Sequence, residues 1–313
     1  MSRRTVDNKE ILLPYKWKID EELQTPIAAL RASSPSDKST YEYWRHEAYD
    51  YYNIGKFNEA IKFFDKSLEI KPNLGACLGK ASAFKELGKH DQAIKCYDDY
   101  LEKQQHKTMK LLKRVGALLL RQSRKAADKW YEVAPEKWYE VAEVWWYKGS
   151  LLTNLHRYAD AIQSYEKSEK LGFDSQVDIA GVFGQMGKYS EVIKRSEEVI
   201  RLEDIRYPPD QGHLPSHRKI AAMFFKANAL DALGNFDEAI KCYDQVITIQ
   251  QESSDTLYYR GRSKVKNGDI MGGLSDLKAA VELDDKYQKL ANSDKDFGSI
   301  RNDPVFRSIV TKP

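Results

Sequence analysis

Little in this chain could hold a fold together covalently or through a metal. Cysteine is scarce: Cys77, Cys96 and Cys242 are the only three in 313 residues, and none has a second cysteine near enough in sequence to make a zinc or redox pair. They read as reduced structural thiols. Proline is equally thin at ten residues, and with 42% hydrophobic and 31% charged residues this excludes a collagen-like or disordered polymer. Charge of one sign is missing too: Lys plus Arg number 50 against 47 for Asp plus Glu, a net +3, too balanced for a protein whose main work is neutralising phosphates. Nucleic acid is therefore not the default partner. No window approaches about eighteen apolar residues, and the mean hydropathy of -0.65 agrees, so no membrane span is expected. The first twenty residues have a basic front but no apolar run of about 7 to 15 behind it, so no secretory signal is expected and the cytoplasm is the expected compartment.

What the chain does have is a period. Small residues recur at Ala60, Ala93, Ala127, Ala161, Val192, Ala239 and Gly273, at intervals of 33, 34, 34, 31, 47 and 34. The long interval is one period plus thirteen residues, Tyr207 to Lys219, which hold Pro208, Pro209, Gly212 and Pro215. Twelve residues before each anchor stands another small or short side chain, at Ala48, Ala81, Val115, Gly149, Ala180, Ala227 and Gly261. Four residues after it comes an aromatic at Phe64, Tyr97, Tyr131, Tyr165 and Tyr243, with Ser196 and Leu277 as exceptions. Five residues before it stands Gly55, Gly88, Gly187, Gly234 or Gly268, replaced by Gln122 and His156 in the other two units. The pattern predicts helix, tight turn, helix. Two antiparallel helices approach closely only where both crossing residues are small, and an aromatic one turn on fills the wedge. Each hairpin then exposes an apolar flank that only a neighbour can cover, so the units stack.

In this respect the sequence resembles the tetratricopeptide repeats, whose 34-residue hairpins carry W-x2-L-G-x2-Y, then A-x3-F, then a late proline. The first unit matches best, with Trp44, Ala48, Tyr51, Gly55, Phe57, Ala60, Phe64, Leu68 and Pro72 in place. The resemblance covers about residues 41 to 287 and implies an all-α superhelical solenoid of about seven hairpins with terminal capping helices. Departures fall in the third unit, 108 to 141, where the turn residue is Gln122 and Pro135 arrives early, and in the shortened fourth and fifth.

The expected organisation is an N-terminal extension over 1–40, with an amphipathic stretch around Ile19 to Leu23; repeats one to five over 41–206; a proline-rich loop over 207–219; repeats six and seven over 220–287; and a C-terminal cap over 288–313. The loop is an expected hinge or interaction loop, or an inert surface excursion. In the cap, Ser293 or Asp294 can open one short helix and Asp303-Pro304 another, which would lay Phe297, Ile300, Phe306 and Ile309 on the flank of the seventh repeat.

Reactive chemistry is hard to find. Gly181 to Lys188 has the wrong spacing for a phosphate loop, is followed by Tyr189 where Ser or Thr is required, and has no strand before it. His213 and His217 are separated by Pro215, which argues against a helical metal edge. Adjacent carboxylates such as Asp98-Asp99 point about 100° apart on a helix, so they do not converge as a catalytic dyad must. No catalytic residue, metal or cofactor is expected.

Surface remains. In the family that the sequence resembles, the first helix of each hairpin lines a concave groove that holds extended peptides or partner helices. The register places Arg45, Tyr49, Tyr52, Asn53, Lys85, Trp146, Ser150, Asn154, Gln185, Phe224, Asn228, Tyr258 and Arg262 there. Asn can bond an extended backbone through both its donor and its acceptor, while rings give rigid apolar contact; the competing reading makes Trp146 and Phe224 interhelix packing. The carboxylate clamp of chaperone-binding members is missing: Arg45 and Tyr49 hold the leading places, Gly79 stands where Asn belongs, and Asn228 is alone. The expected function is a non-catalytic scaffold or adaptor for other proteins. The alternative is an RNA-binding or acidic-ligand-binding repeat protein, because Lys107 to Lys129 carries eight cations against the single acid Asp128, with Lys107, Lys110, Arg114 and Arg121 on one helical stripe. The oligomeric state is left open.

Overall fold

The computed structural model describes residues 39–119, 125–207, 215–250 and 252–311, and within 105–138 the backbone alone. The expected N-terminal extension and the tip of the proline-rich loop lie outside the described residues. Those described form an all-α solenoid of antiparallel helix hairpins with no strand among them. Their contacts divide them into two compact units, one ending at Ser175 and the other beginning at Gln176.

The N-terminal unit starts with α1 (Tyr41–Asn53) and α2 (Phe57–Ile70), followed by α3 (Leu74–Glu86), α4 (His90–Leu119), α5 (Lys125–Asn154) and α6 (Tyr158–Lys170). Consecutive helices pack on one another. The first helices of repeats one and two start at short polar side chains that satisfy orphan amides: Thr40 accepts from the Tyr43 N–H at 3.3 Å and Asn73 from that of Ala76 at 2.8 Å. Gly55 closes the first hairpin turn with φ 76°, a left-handed conformation that costs a residue without Cβ nothing. His156 takes the same place in the fourth repeat with φ 58°.

The third repeat is where backbone and period part company. A separate hairpin over 108–141 was the expectation, yet α4 runs without a turn through the second repeat's second helix and on to Leu119, and α5 likewise continues into the fourth repeat. The cause is local: between Tyr100 and Leu119 there is no Pro, Asn or Asp, and Gly116 comes too late to end the second repeat's helix.

The C-terminal unit contains α7 (Gln176–Gln185), α8 (Tyr189–Arg206), α9 (His217–Ala232), α10 (Phe236–Ile249), α11 (Ser254–Lys266) and α12 (Ile270–Leu283). Helices α8 and α9, on either side of the proline-rich loop, pack against each other. Residues 217–219 of that expected loop are already helical, capped by Ser216, which accepts from the Lys219 N–H at 3.1 Å and whose hydroxyl donates to the buried Glu203. A backbone crossing shows why small residues recur: a Cβ placed on Gly273 would lie 2.7 Å from the Gly261 carbonyl oxygen.

The cap follows as α13 (Lys286–Ser293), a 3-10 turn (Lys295–Ile300) and α14 (Pro304–Val310). Asp294 opens the 3-10 turn by accepting from the Asp296 N–H, and Asp303 opens α14 with Pro304 at its first position. Phe297, Ile300, Phe306 and Ile309 are buried against α11 and α12, as the sequence led one to expect. Each contributes about 1.5–3 kcal/mol of apolar burial.

Candidate functional site

Within the N-terminal unit the groove register falls on α1, α3 and the last turns of α5. Asn53, Lys85 and Asn154 are exposed, and Arg45, Tyr52, Trp146 and Ser150 are half-buried. Arg45 lies across the helix α3 backbone at Gly75, where an added Cβ would come within 3.2 Å of its Cδ. Trp146 sits 5.1 Å from the Tyr147 ring and 6.0 Å from Phe173, and Tyr52 meets Phe57 edge-on at 5.2 Å. Tyr49 serves the fold: its hydroxyl donates to the Gly75 carbonyl at 2.9 Å and its ring meets Phe64 edge-on. Burial pushes that hydroxyl up to about 12. The basic stripe Lys107, Lys110, Arg114 and Arg121 lies on α4 and the segment after it, outside the described side chains.

The same register gives a different result in the C-terminal unit. Phe224 is 6% exposed among Phe225, Tyr243 and Tyr259, so the packing reading holds for it. Asn228 is 9% exposed and its Oδ1 accepts from the Tyr243 hydroxyl at 2.6 Å. Tyr258 is 1% exposed, stacked on Tyr287 at 4.8 Å and edge-on to Phe297. These three are interior in the folded chain, Tyr258 because Tyr287, Asp294 and Phe297 of the cap lie over it. The reason is that the first helices of repeats six and seven carry large rings at the groove positions, and the cap closes over the last of them. Gln185 is half-buried, and its Oε1 has no hydrogen-bond partner among the described residues.

Arg262 is the hub of a charge cluster that the sequence reading missed. Asp231 of α9, 2% exposed, takes Arg262 at 3.2 Å, Ser263 at 2.7 Å and Lys266 at 3.0 Å. The signal was present in part: Asp231 stands one turn after Asn228, on the same face of its helix. A parallel cluster joins Arg260 to Asp276 at 2.6 Å and to Asp244 at 2.7 Å, with Lys264 2.9 Å from Asp276.

One cleft of ≈ 120 Å³ opens in the N-terminal unit among Asp65, Cys77, Lys80, Cys96, Asp99 and Tyr100. Lys80 is tied to Asp65 at 2.6 Å. Burial pushes the Cys77 thiol up, and that of Cys96 up to about 11, which disfavours the thiolate of both near neutrality. Among the described residues no cluster of three His, Cys, Asp or Glu is placed to hold a metal, and no helix is long and apolar enough to cross a membrane.

Tetratricopeptide-repeat family models match residues 41–74, 74–102 and 220–253. No curated protein matches the chain in sequence. Among solved structures, a tetratricopeptide repeat protein from Parabacteroides merdae is 17% identical with a TM-score of 0.52, over 90% of this chain and 96% of that one. BtubC (BKLC) from P. vanneervenii is 15% identical with a TM-score of 0.50, over 87% and 93%. The Cut9-Hcn1 hetero-tetramer of APC/C is 14% identical with a TM-score of 0.51; this chain is covered to 93% but spans only 46% of that one. At such identities the likeness speaks for the fold alone. Tetratricopeptide repeats are thus matched over residues 41–102 and 220–253, within an all-α solenoid whose fold is that of tetratricopeptide-repeat proteins.

Proposed function

We propose that the chain is a non-catalytic, cytoplasmic scaffold that binds a partner protein's extended peptide or helix along the α1, α3 and α5 face of the N-terminal unit. Tetratricopeptide repeats are in general protein-interaction scaffolds. One observation carries the choice of face: Asn53, Lys85 and Asn154 stand exposed at groove positions, whereas Phe224, Asn228 and Tyr258 are interior at theirs. Arg45, Tyr52, Trp146 and Ser150 line the same face and supply rings, a cation and a hydroxyl beside the two amides.

The test is affinity isolation of partners from the source cell with the full chain, repeated with Asn53→Ala, Lys85→Ala and Asn154→Ala combined. All three side chains are exposed, so the helical content is expected to stay unchanged. Recovery of the partner should fall by about tenfold or more, the loss of roughly 1.4 kcal/mol. Full recovery removes this face from the argument. Retention of nucleic acid, steeply salt-dependent and lost on neutralising Lys110, Arg114 and Arg121, would favour the RNA alternative instead.

A further inference from the structure

Tyr258, Arg262 and Lys266 follow one another at intervals of four on α11 and so form a single stripe. All three meet the same three-residue turn of the cap, Asp294-Lys295-Asp296. The Tyr258 hydroxyl donates to Asp294 Oδ2 at 2.7 Å. Arg262 stands 3.9 Å from that same Oδ2 and 3.5 Å from Asp296 Oδ2, and Lys266 is 3.5 Å from Asp296 Oδ2. The stripe is backed by rings, with Arg262 4.8 Å over Tyr259 and Lys266 4.8 Å over Phe236. From behind, Asp231 anchors both cations. The turn is shaped by hydrogen bonds within the cap: Asp294 accepts from the Asp296 N–H, and Arg301 donates to the carbonyls of Asn292 and Asp294 at 2.6 and 2.7 Å. Two carboxylates, two residues apart, are thus presented to a cationic, aromatic-backed stripe in which Tyr258 and Arg262 are groove positions.

We propose that the Tyr258-Arg262-Lys266 stripe is a receptor surface for an acidic protein segment bearing two carboxylates two residues apart, and that the chain's own turn occupies it as a tethered competitor. The proposal is independent of the N-terminal face: it concerns another unit and a ligand of stated chemistry. A competitor on a short tether acts at an effective concentration in the millimolar range, so a free segment binds weakly until the turn is weakened or displaced.

The experiment uses the full chain and a fluorescent synthetic peptide covering Leu290 to Arg301, whose binding is followed by anisotropy. Asp294→Asn with Asp296→Asn keeps the size of the turn and removes its charge. The peptide is expected to bind this variant at least about tenfold more tightly than the unaltered chain. That gain should vanish when both aspartates of the peptide are replaced by asparagine, or when Arg262→Gln and Lys266→Gln are added. Equal affinity for variant and unaltered chain, or binding indifferent to the peptide's carboxylates, overturns the proposal. Should the variant fail to fold, hydrogen exchange on the unaltered chain decides. Amides of 295–300 are expected to exchange by local opening, about tenfold or more faster than those around Ala280 in α12. Exchange of both segments only through global unfolding overturns it equally.

Discussion

The Tyr49 hydroxyl reaches across from α1 to the Gly75 carbonyl of α3, 2.9 Å away, while its ring lies edge-on to Phe64 at 5.0 Å. A residue assigned by register to partner binding is thus a strut between the first helices of two successive repeats. Burial holds its hydroxyl protonated, up to about 12 against an ordinary 10.0. The sign follows directly. In the unfolded chain this tyrosine ionises near pH 10 and in the folded chain it resists, so its contribution is intact below pH 10 and is lost as the pH climbs from 10 to about 12. Urea midpoints measured from pH 9 to pH 12 should decline less steeply for Tyr49→Phe than for the unaltered chain. At neutral pH the same substitution should cost about 1 kcal/mol, because the Gly75 carbonyl loses that donor. Equal alkaline slopes would refute the assignment.

His156 occupies a turn position that glycine fills in the first, second, fifth, sixth and seventh repeats, and it does so at φ 58°. A side chain with a Cβ is strained there by about 1 kcal/mol. Part of this is returned by the bond between its Nδ1 and the Tyr158 hydroxyl at 2.8 Å, an exposed contact of small worth. His156→Gly is therefore expected to stabilise the N-terminal unit by about 0.5–1 kcal/mol and to raise its melting temperature by about 2 °C. Calorimetry checks this, and a lower melting temperature would show that the histidine contact outweighs the strain.

Local chemistry made the hairpins legible. A left-handed turn, a small crossing residue and an aromatic wedge are each demanded by a few neighbouring atoms, so Gly55, Ala60 and Phe64 announce their roles in one dimension. The groove was legible only as a helix face. Whether a side chain on that face meets water depends on what another helix or the cap lays over it, and the period carries no record of this. Hence Asn53 and Lys85 are exposed at their groove positions, while Phe224, for which packing was the competing reading, and Tyr258 are interior at theirs. The third repeat fails for the opposite reason. Its anchors keep the 34-residue spacing, but no residue between Tyr100 and Gly116 can stop a helix, and the backbone follows the stop signals rather than the period. Asp294 was foreseen as a cap and serves as one; its second role against Tyr258 and Arg262 needs a helix far away in sequence, and no local pattern encodes it.

Gly261 and Gly273 test the crossing argument most sharply, because propensity and packing make opposite demands there. Glycine inside a helix is about 1 kcal/mol worse than alanine, so Gly273→Ala judged by propensity alone would stabilise α12. The added Cβ would lie 2.5 Å from Val265 Cγ2 and 2.7 Å from the Gly261 carbonyl oxygen, and the second of these is backbone that cannot turn aside. Forcing the helices apart is expected to cost about 2 kcal/mol net, read as a lower denaturant midpoint with unchanged slope. Gly298→Ala is the matched control, since nothing lies within 4 Å of the Cβ it would gain, and its effect should stay within about 0.5 kcal/mol. A Gly273→Ala chain more stable than the original would mean that the small residue at this anchor reflects no crossing constraint, and with it would go the physical reason for the 34-residue period in the seventh repeat.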